Sequence, residues 1–566
     1  MMTRTALQRA MVRTGAWAFL LTAIAAWVPM EPLAILYFRI DAPVSLLIGI
    51  ALILLGAWTL SADLKLPRWT SGPVAVTVLI LLVGLVALAG TWLVFGDFGQ
   101  SRDEILADFG AQHLRAGVLL PPVPAQWHAY AWALQPNFMI NVPGDRFWLS
   151  GYLPGNAMLR ALFGPATAPS LAMVACLVIY NIARRLWPDE RGPALVALML
   201  SATSAQLLVN AMTPYAMTAH LACNLLWLWL FLRCNRSADV MALAVGWLAC
   251  GLHQILFHPL FVAPFVIQLW LHGERRRAAA YTLGYAAIGL FWVCYWQILL
   301  HLLDWPPPGH EGGAGNGLAL VLSRIEGMLS QFSLIDVWLM IFNLLRFLAW
   351  QNLILVPLMV LSWPAIRAGE GVARPLAAGI LLLLIALFVL MPSQGIGWGY
   401  RYLNGLLGSA SILAAYGWRT AVREARGQAL ASLCLGTMAT VLLIVPWQMF
   451  HAHRIVEPYR IAYQRLIRTP ADIVLVDDGR LFYAGDLVRN RWDLSNRPLV
   501  MELAMLDQAS LRALCERYRV ALFDQRDGAA AGIRSGSGGW PDRSIANHAT
   551  LNSLGCAQRR VVPAAP

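Results

Sequence analysis

The sequence predicts an all-α polytopic membrane protein with about thirteen transmembrane helices, followed by a small C-terminal α/β domain. Hydrophobic residues make up 59% of the 566 residues and charged residues only 13%, whereas soluble domains carry about 25% charged residues. Many apolar runs approach or exceed the ~20 residues needed to cross the hydrocarbon core of a bilayer. After residue 450 the composition changes to short apolar runs separated by polar turns, which are typical of a folded module.

The predicted spans are apolar runs bounded by polar or basic segments. The first is interpreted as an uncleaved span, because its basic start is not followed by a convincing small-residue cleavage site. The spans make up a membrane domain, residues 1–450, and the tail makes up a second domain, residues 451–566. The spans cover residues 15–38, 43–61, 73–95, 168–186, 193–211, 214–233, 239–254, 255–271, 278–302, 351–366, 375–391, 402–418 and 428–448.

Arginine residues concentrate in alternate loops, which indicates the orientation of the spans by the positive-inside rule. With a cytoplasmic N-terminus, the long 96–167 loop and the tail lie on the outer face. The predicted location is the bacterial inner (cytoplasmic) membrane, with a periplasmic C-terminal domain. In such an oxidising compartment Cys515 and Cys556 are able to form a disulfide, although their spacing leaves the pairing open.

The net charge of +12 does not indicate a nucleic-acid partner. The basic residues are spread over loops and the tail, and no basic block is present that would form a groove. Positive-inside bias and attraction to anionic lipid head groups explain the charge more simply.

An acidic pair, Asp103 and Glu104, lies near the start of the first outer loop in a chain with only 30 acidic residues. The pair opens an amphipathic stretch with apolar residues near helical spacing. A second surface helix is predicted over residues 147–163, interrupted at Pro154 and Gly155. Two such helices at the ends of the loop form a platform at the membrane face.

A carboxylate at this position suits proton abstraction from a hydroxyl or amine that attacks an activated sugar carbon. A second acid suits orientation of that acceptor, or a role in holding a divalent cation such as Mg²⁺ or Mn²⁺. The sequence predicts no metal-ligand set, so the cofactor stays unknown. The alternative reading is that Asp103 and Glu104 are the polar first turn of a surface helix, favoured by the helix dipole.

The Asp-Glu pair, its early outward span and the long loop with an amphipathic helix resemble the GT-C superfamily of membrane glycosyltransferases. That superfamily includes the protein O-mannosyltransferases, the aminoarabinose transferases of lipid A and the RgtA/B/C/D-type transferases. The resemblance implies sugar transfer from a polyprenyl-phosphate carrier at the outer face, with Asp103 as general base and Glu104 matching the family's Glu. Tyr152-Leu153-Pro154-Gly155 lies where the family has a Pro-containing motif. The family's pair follows its first span, so two spans are added here.

A carrier phosphate at the interface requires cations, and arginine suits phosphate because of its forked donors. Arg401 lies at the predicted outer end of a late span, between Tyr400 and Tyr402, and Arg346 is the other outer-side arginine considered. The substrate-binding candidates are therefore Arg401, Arg346, Tyr400 and Tyr152. The alternative reading of Arg401 is a side chain that extends to a lipid phosphate between aromatic neighbours.

The sequence thus predicts an enzyme, a polyprenyl-phosphate-sugar-dependent glycosyltransferase of GT-C type. Its expected partners are the lipid-linked sugar donor, a glycan, lipid or protein acceptor, and membrane lipids. One alternative is a lipid-linked sugar flippase or transporter, but this class tends to show inverted repeats that are not evident here. The other is an O-antigen polymerase or ligase, whose large outer loop usually comes late in the chain.

Overall fold

The structure is a computed structural model that describes residues 4–28, 38–59, 72–140, 142, 144–302, 326–327, 333–479, 481–535, 542–556 and 559–561. Residues 303–332 lie outside the described residues, apart from residues 326–327. Two compact units are present. The first combines Met1–Gly90 with Ala168–His451, and the second combines Thr91–Thr167 with Ala452–Pro566.

The first unit is helical. Its described α-helices are Ala6–Ala25, Pro43–Thr59, Pro73–Leu93, Thr167–Leu186, Arg191–Ala202, Ala205–Asn210, Met217–Phe231, Arg236–Cys250, Phe257–Leu271, Arg275–Val293, Tyr295–Leu302, Leu334–Ala349, Leu355–Leu361, Trp363–Ala368, Ala373–Leu390, Leu407–Ala439 and Val445–Arg468. The first three of these helices precede the Asp-Glu pair, and of these Pro73–Leu93 is long and apolar enough to cross a membrane. Pro73–Leu93 and Val445–Arg468 end in the second unit, and Thr167–Leu186 begins in it.

Among the described residues, four helical stretches are long and apolar enough to cross a membrane, or five if a helix pair bent by 51° counts as one span. They are Pro73–Leu93, Gly155–Leu186, Ala373–Leu390 and Arg401–Arg468, with the bent pair Arg275–Val293 and Tyr295–His301. Pro43–Gly56, Arg191–Ala202, Met217–Phe231 and Phe257–Leu271 are shorter apolar helices. The polytopic helical class is confirmed at this coarser level, and the number thirteen stays a prediction.

The second unit contains the long loop and the tail. The loop carries the helices Arg102–Arg115, Ala131–Leu134 and Gly155–Phe163, and strands β1, Met139–Ile140, and β2, Leu149–Ser150, which pair antiparallel. The prediction of a helix over residues 147–163 is therefore wrong in its first half. There Leu149 pairs with Ile140, and the helix begins only after Pro154, whose missing N–H is not needed at a helix start.

The tail contains a parallel sheet. Its strands are β3, Ile473–Val476, β4, Leu499–Glu502, β5, Val520–Phe523, and β6, Arg559–Arg560, in the spatial order β4-β3-β5-β6. The helices of the tail are Gln508–Arg517, Gln525–Ala531 and Asp542–Ser553. Cys515 and Cys556 form a disulfide.

A single hydrophobic core joins the loop and the tail within this unit. The loop contributes buried Phe109, Trp127 and Trp148, and the sheet contributes Leu475 and Met501, among others. The tail therefore packs on the loop that carries the acidic pair.

Candidate active site

The acidic pair lies in the first turn of the Arg102–Arg115 helix, named here the loop helix. Asp103 Oδ1 accepts a hydrogen bond of 2.6 Å from the Tyr152 hydroxyl, across 49 residues of chain. Tyr152 lies three residues before the last helix of the loop, Gly155–Phe163. Two of the sequence-predicted site residues are thus brought into direct contact, and the contact orients the Asp103 carboxylate.

Glu104 forms a capping box with Ser101, the residue before the loop helix. Glu104 Oε2 accepts hydrogen bonds from the backbone N–H groups of Gln100, at 3.0 Å, and Ser101, at 2.8 Å. The Ser101 hydroxyl accepts in turn from the Glu104 N–H at 3.3 Å. The Glu104 side chain therefore stabilises the turn at the start of the loop helix, which positions Asp103.

Glu104 is also an unusual acid electrostatically. It is 1% exposed, and burial raises the pKa of its carboxyl to about 7. The hydrogen bonds from Ser101 and the positive charge of Arg489 oppose this rise without cancelling it. Glu104 Oε1 is buried with no hydrogen-bond partner among the described residues.

Two further charged residues lie near the start of the loop helix, and neither was predicted from the sequence. Asp486, from the tail, is buried and accepts from Arg102 Nε at 3.0 Å and from Asn137 Nδ2 at 3.3 Å. The guanidinium of Arg489 lies 3.8 Å from the centre of the Phe98 ring. Burial lowers the pKa of Arg489 to about 10, which the nearby acids Asp486 and Glu104 counteract.

Arg401 and Tyr400 lie in the first unit. Arg401 is only 5% exposed, and its guanidinium carbon is 5.0 Å from the ring centres of both Tyr215 and Tyr402. This places a desolvated cation against two aromatic faces, an arrangement that stabilises the charge. Tyr400 is fully buried, and its hydroxyl contacts the sulfur of Met340 at 3.6 Å.

Arg346 is 0% exposed and forms an ion pair with Asp41, an acid that the sequence analysis did not single out. Its Nη2 lies 2.5 Å from Asp41 Oδ2 and donates a second bond of 2.9 Å to the Gly397 carbonyl. In the described structure Arg346 is thus occupied by groups of the protein itself.

The described part of the chain contains no set of side chains arranged to bind a divalent cation. No group of three or more His, Cys, Asp or Glu side chains is placed there to hold a metal ion. The residues described do not fit such a cofactor, so no chemical step is assigned to one.

Comparisons with known proteins give a likeness in fold. No protein-family model matches the sequence, and no curated protein matches it. The crystal structure of ArnT from Cupriavidus metallidurans bound to undecaprenyl phosphate matches with a TM-score of 0.52 at 13% identity, over 77% of this chain and 87% of that chain. The apo structure of the same ArnT gives a TM-score of 0.46 at 13% identity, over 81% of this chain and 90% of that one. At this identity the first of these matches shows a similarity in fold between this chain and ArnT.

Proposed function

We propose that this protein is a glycosyltransferase that moves a sugar from a polyprenyl-phosphate carrier to an acceptor at the outer face of the inner membrane. The fold is similar to that of ArnT, which was crystallised with undecaprenyl phosphate. The observation that carries the proposal is the Asp103 carboxylate, placed in the first turn of the loop helix and held by the Tyr152 hydroxyl. A preorganised carboxylate outside an apolar span is what general-base catalysis requires.

In the proposed reaction, an oxygen or nitrogen of the acceptor attacks the anomeric carbon of the sugar. The bond between that carbon and the phosphate oxygen breaks, and its electron pair leaves with the polyprenyl phosphate. Asp103 takes the proton that the acceptor loses. Glu104 holds the preceding turn through its two backbone hydrogen bonds, so it acts as a positioning residue.

Arg401 is the proposed contact of the donor phosphate. Its guanidinium carries a positive charge at a site with little exposure, where attraction to an anion is stronger than in water. The buried, ion-paired state of Arg346 favours assigning the donor contact to Arg401 alone.

The disulfide between Cys515 and Cys556 supports an outer location for the second unit. Disulfides persist in oxidising compartments such as the periplasm and are rare in the cytosol. Because the tail shares a core with the loop, the disulfide also supports an outer location for Asp103.

The test is complementation of a deletion strain. The glycoconjugate that the deletion strain lacks is identified by mass spectrometry, and wild-type protein, Asp103→Asn and Glu516→Gln are then expressed at equal membrane levels. Glu516 is an exposed acid of the same unit and serves as the matched control. Wild type and Glu516→Gln should restore the glycoconjugate and Asp103→Asn should not. Restoration by Asp103→Asn would remove the catalytic role of this residue.

A further inference from the structure

The short segment before Arg401, residues 392–400, is fastened through its backbone carbonyls. Six carbonyl oxygens of this segment accept hydrogen bonds from side chains, and five of those side chains come from other parts of the first unit. The pairs are Pro392 with Asn343 Nδ2 at 2.9 Å, Ile396 with the Tyr215 hydroxyl at 2.6 Å, Gly397 with Arg346 Nη2 at 2.9 Å, Trp398 with Asn210 Nδ2 at 3.2 Å, Gly399 with Gln394 Nε2 at 2.8 Å and Tyr400 with Gln206 Nε2 at 3.0 Å.

Most of these donor side chains are buried, and two of them, Arg346 and Gln206, are fixed by other side chains. Arg346 is ion-paired with Asp41, and Gln206 accepts a hydrogen bond of 3.0 Å from Gln351. Asn210, Asn343 and Gln206 are each 0% exposed. The carbonyl directions of the segment are therefore set by the surrounding helices and do not depend on solvent.

Directed carbonyls also direct the amide groups that follow them. A trans peptide is planar, so the N–H of each residue points opposite to the C=O of the residue before it. The N–H groups of Gly397, Gly399 and Tyr400 thus point away from the side chains that hold Ile396, Trp398 and Gly399, respectively. None of these three N–H groups has an acceptor among the described residues, although all three residues are buried.

Buried backbone N–H groups are rarely left without a hydrogen-bond acceptor. The N–H groups of Gly397, Gly399 and Tyr400 therefore point to a bound group that supplies the acceptor atoms. The two glycines also bring the backbone close to its neighbours. Gly399 has a φ of +62°, which disfavours other residues, and a Cβ at Gly397 would lie 2.4 Å from Arg401 Cδ. Arg401 therefore lies directly against the segment and adds a full positive charge beside its amides.

We propose that residues 394–401 form an oxyanion site, in which the N–H groups of Gly397, Gly399 and Tyr400 act with Arg401 to bind a phosphate group. Adjacent N–H groups in a turn, such as those of Gly399 and Tyr400, form anion-binding concavities. The ligand chemistry is a phosphate ester or free phosphate, and identification with the carrier lipid rests on the proposed function. Under this assignment Tyr215, Asn210 and Gln394 are positioning residues, which act through the Ile396, Trp398 and Gly399 carbonyls that they hold.

Amide hydrogen exchange of the full-length protein in lipid nanodiscs tests the site directly. Exchange across residues 395–400 is followed by mass spectrometry with undecaprenyl phosphate, with undecaprenol as the uncharged control, and with inorganic phosphate. Slower exchange with undecaprenyl phosphate and not with undecaprenol is the expected result, and it assigns the site to the lipid head group. Protection by inorganic phosphate alone would leave the oxyanion site standing and remove its assignment to the carrier lipid.

The site is overturned if undecaprenyl phosphate binds, as measured independently, while exchange over residues 395–400 stays unchanged. It is equally overturned if neither phosphate compound protects the segment. Tyr215→Phe keeps the ring beside Arg401 but releases the Ile396 carbonyl, and should weaken phosphate binding on the order of fivefold, as the loss of one hydrogen bond predicts. Tyr180→Phe is the matched control, because the Tyr180 hydroxyl makes no hydrogen bond to the described residues 392–400. This variant should bind phosphate as wild type does. Equal affinities of these two variants would overturn the positioning role of Tyr215.

Discussion

The hydroxyl of Tyr152 donates a 2.6 Å hydrogen bond to Oδ1 of Asp103. This bond links the two ends of the long loop, because Asp103 begins the loop helix and Tyr152 precedes the Gly155–Phe163 helix. It contributes to the orientation of the carboxylate. The consequence for catalysis is that removal of the hydroxyl should impair orientation and leave the charge in place.

Tyr152→Phe should therefore lower kcat between about tenfold and a hundredfold, the range expected from a lost hydrogen bond to a charged group. The KM for the lipid-linked donor should change little, since the bond orients the proposed base. Tyr130→Phe, in the same loop, is the control and should behave as wild type. Equal kcat values for Tyr152→Phe and wild type would show that the contact does not contribute to the reaction.

Glu104 predicts a specific dependence of stability on pH. Burial raises its pKa to about 7 from an ordinary value of 4.5, so between these two values the folded protein retains a proton that the unfolded chain has released. The contribution of Glu104 to the free energy of unfolding is therefore fully present below pH 4.5 and is lost as the pH rises through 7. The loss is on the order of 3 kcal/mol.

Glu104→Gln removes this titration while keeping a side chain suited to the capping box. The melting temperature of wild type, relative to Glu104→Gln, should fall between pH 5 and pH 8 in detergent solution. Glu516→Gln should show no such trend, because Glu516 is exposed. A constant difference between wild type and Glu104→Gln over that range would contradict the raised pKa.

The ion pair between Arg102 and Asp486 predicts an asymmetric pair of mutants. The Asp486 side chain is 1% exposed and the Arg102 side chain 35%. Arg102→Ala leaves a buried carboxylate without its cation and should destabilise the second unit by about 1–3 kcal/mol. Asp486→Asn removes the buried carboxylate itself and leaves Arg102 partly exposed to solvent, so it should destabilise less.

A double-mutant cycle measures this asymmetry. Addition of Asp486→Asn to Arg102→Ala should recover part of the lost stability in thermal unfolding. Arg512→Ala, at an exposed position of the tail, serves as the control for a lost surface arginine. If the double mutant is less stable than Arg102→Ala alone, the carboxylate is not the source of the loss.

Local patterns in the sequence predicted local structure well in the tail. The short apolar runs noted after residue 450 include the buried strands Ile473–Val476 and Val520–Phe523. Apolar spacing located the loop helix in the same way. These signals depend on neighbouring residues, which the chain order supplies directly.

The buried polar pairs could not be predicted, because their partners are far apart in the chain. Arg346 is 305 residues from Asp41, and Arg102 is 384 residues from Asp486. An arginine in an apolar stretch signals that a partner exists, but not whether the partner is a ligand or a side chain. For this reason the sequence suggested Arg346 as a substrate contact, whereas the structure places it in an ion pair that also holds the Gly397 carbonyl.

The disulfide between Cys515 and Cys556 predicts both a compartment and a stability effect. It joins positions separated by 41 residues, and closing a loop of this length removes about 4 kcal/mol of chain entropy from the unfolded state in the simplest model. Replacement of both residues by alanine should lower the melting temperature of the protein.

In intact cells a thiol reagent should label neither Cys515 nor Cys556 in wild type until a reductant is added. Free labelling of both cysteines without reductant would place the tail in a reducing compartment, and Asp103, which shares its core, would then lie on the cytoplasmic side.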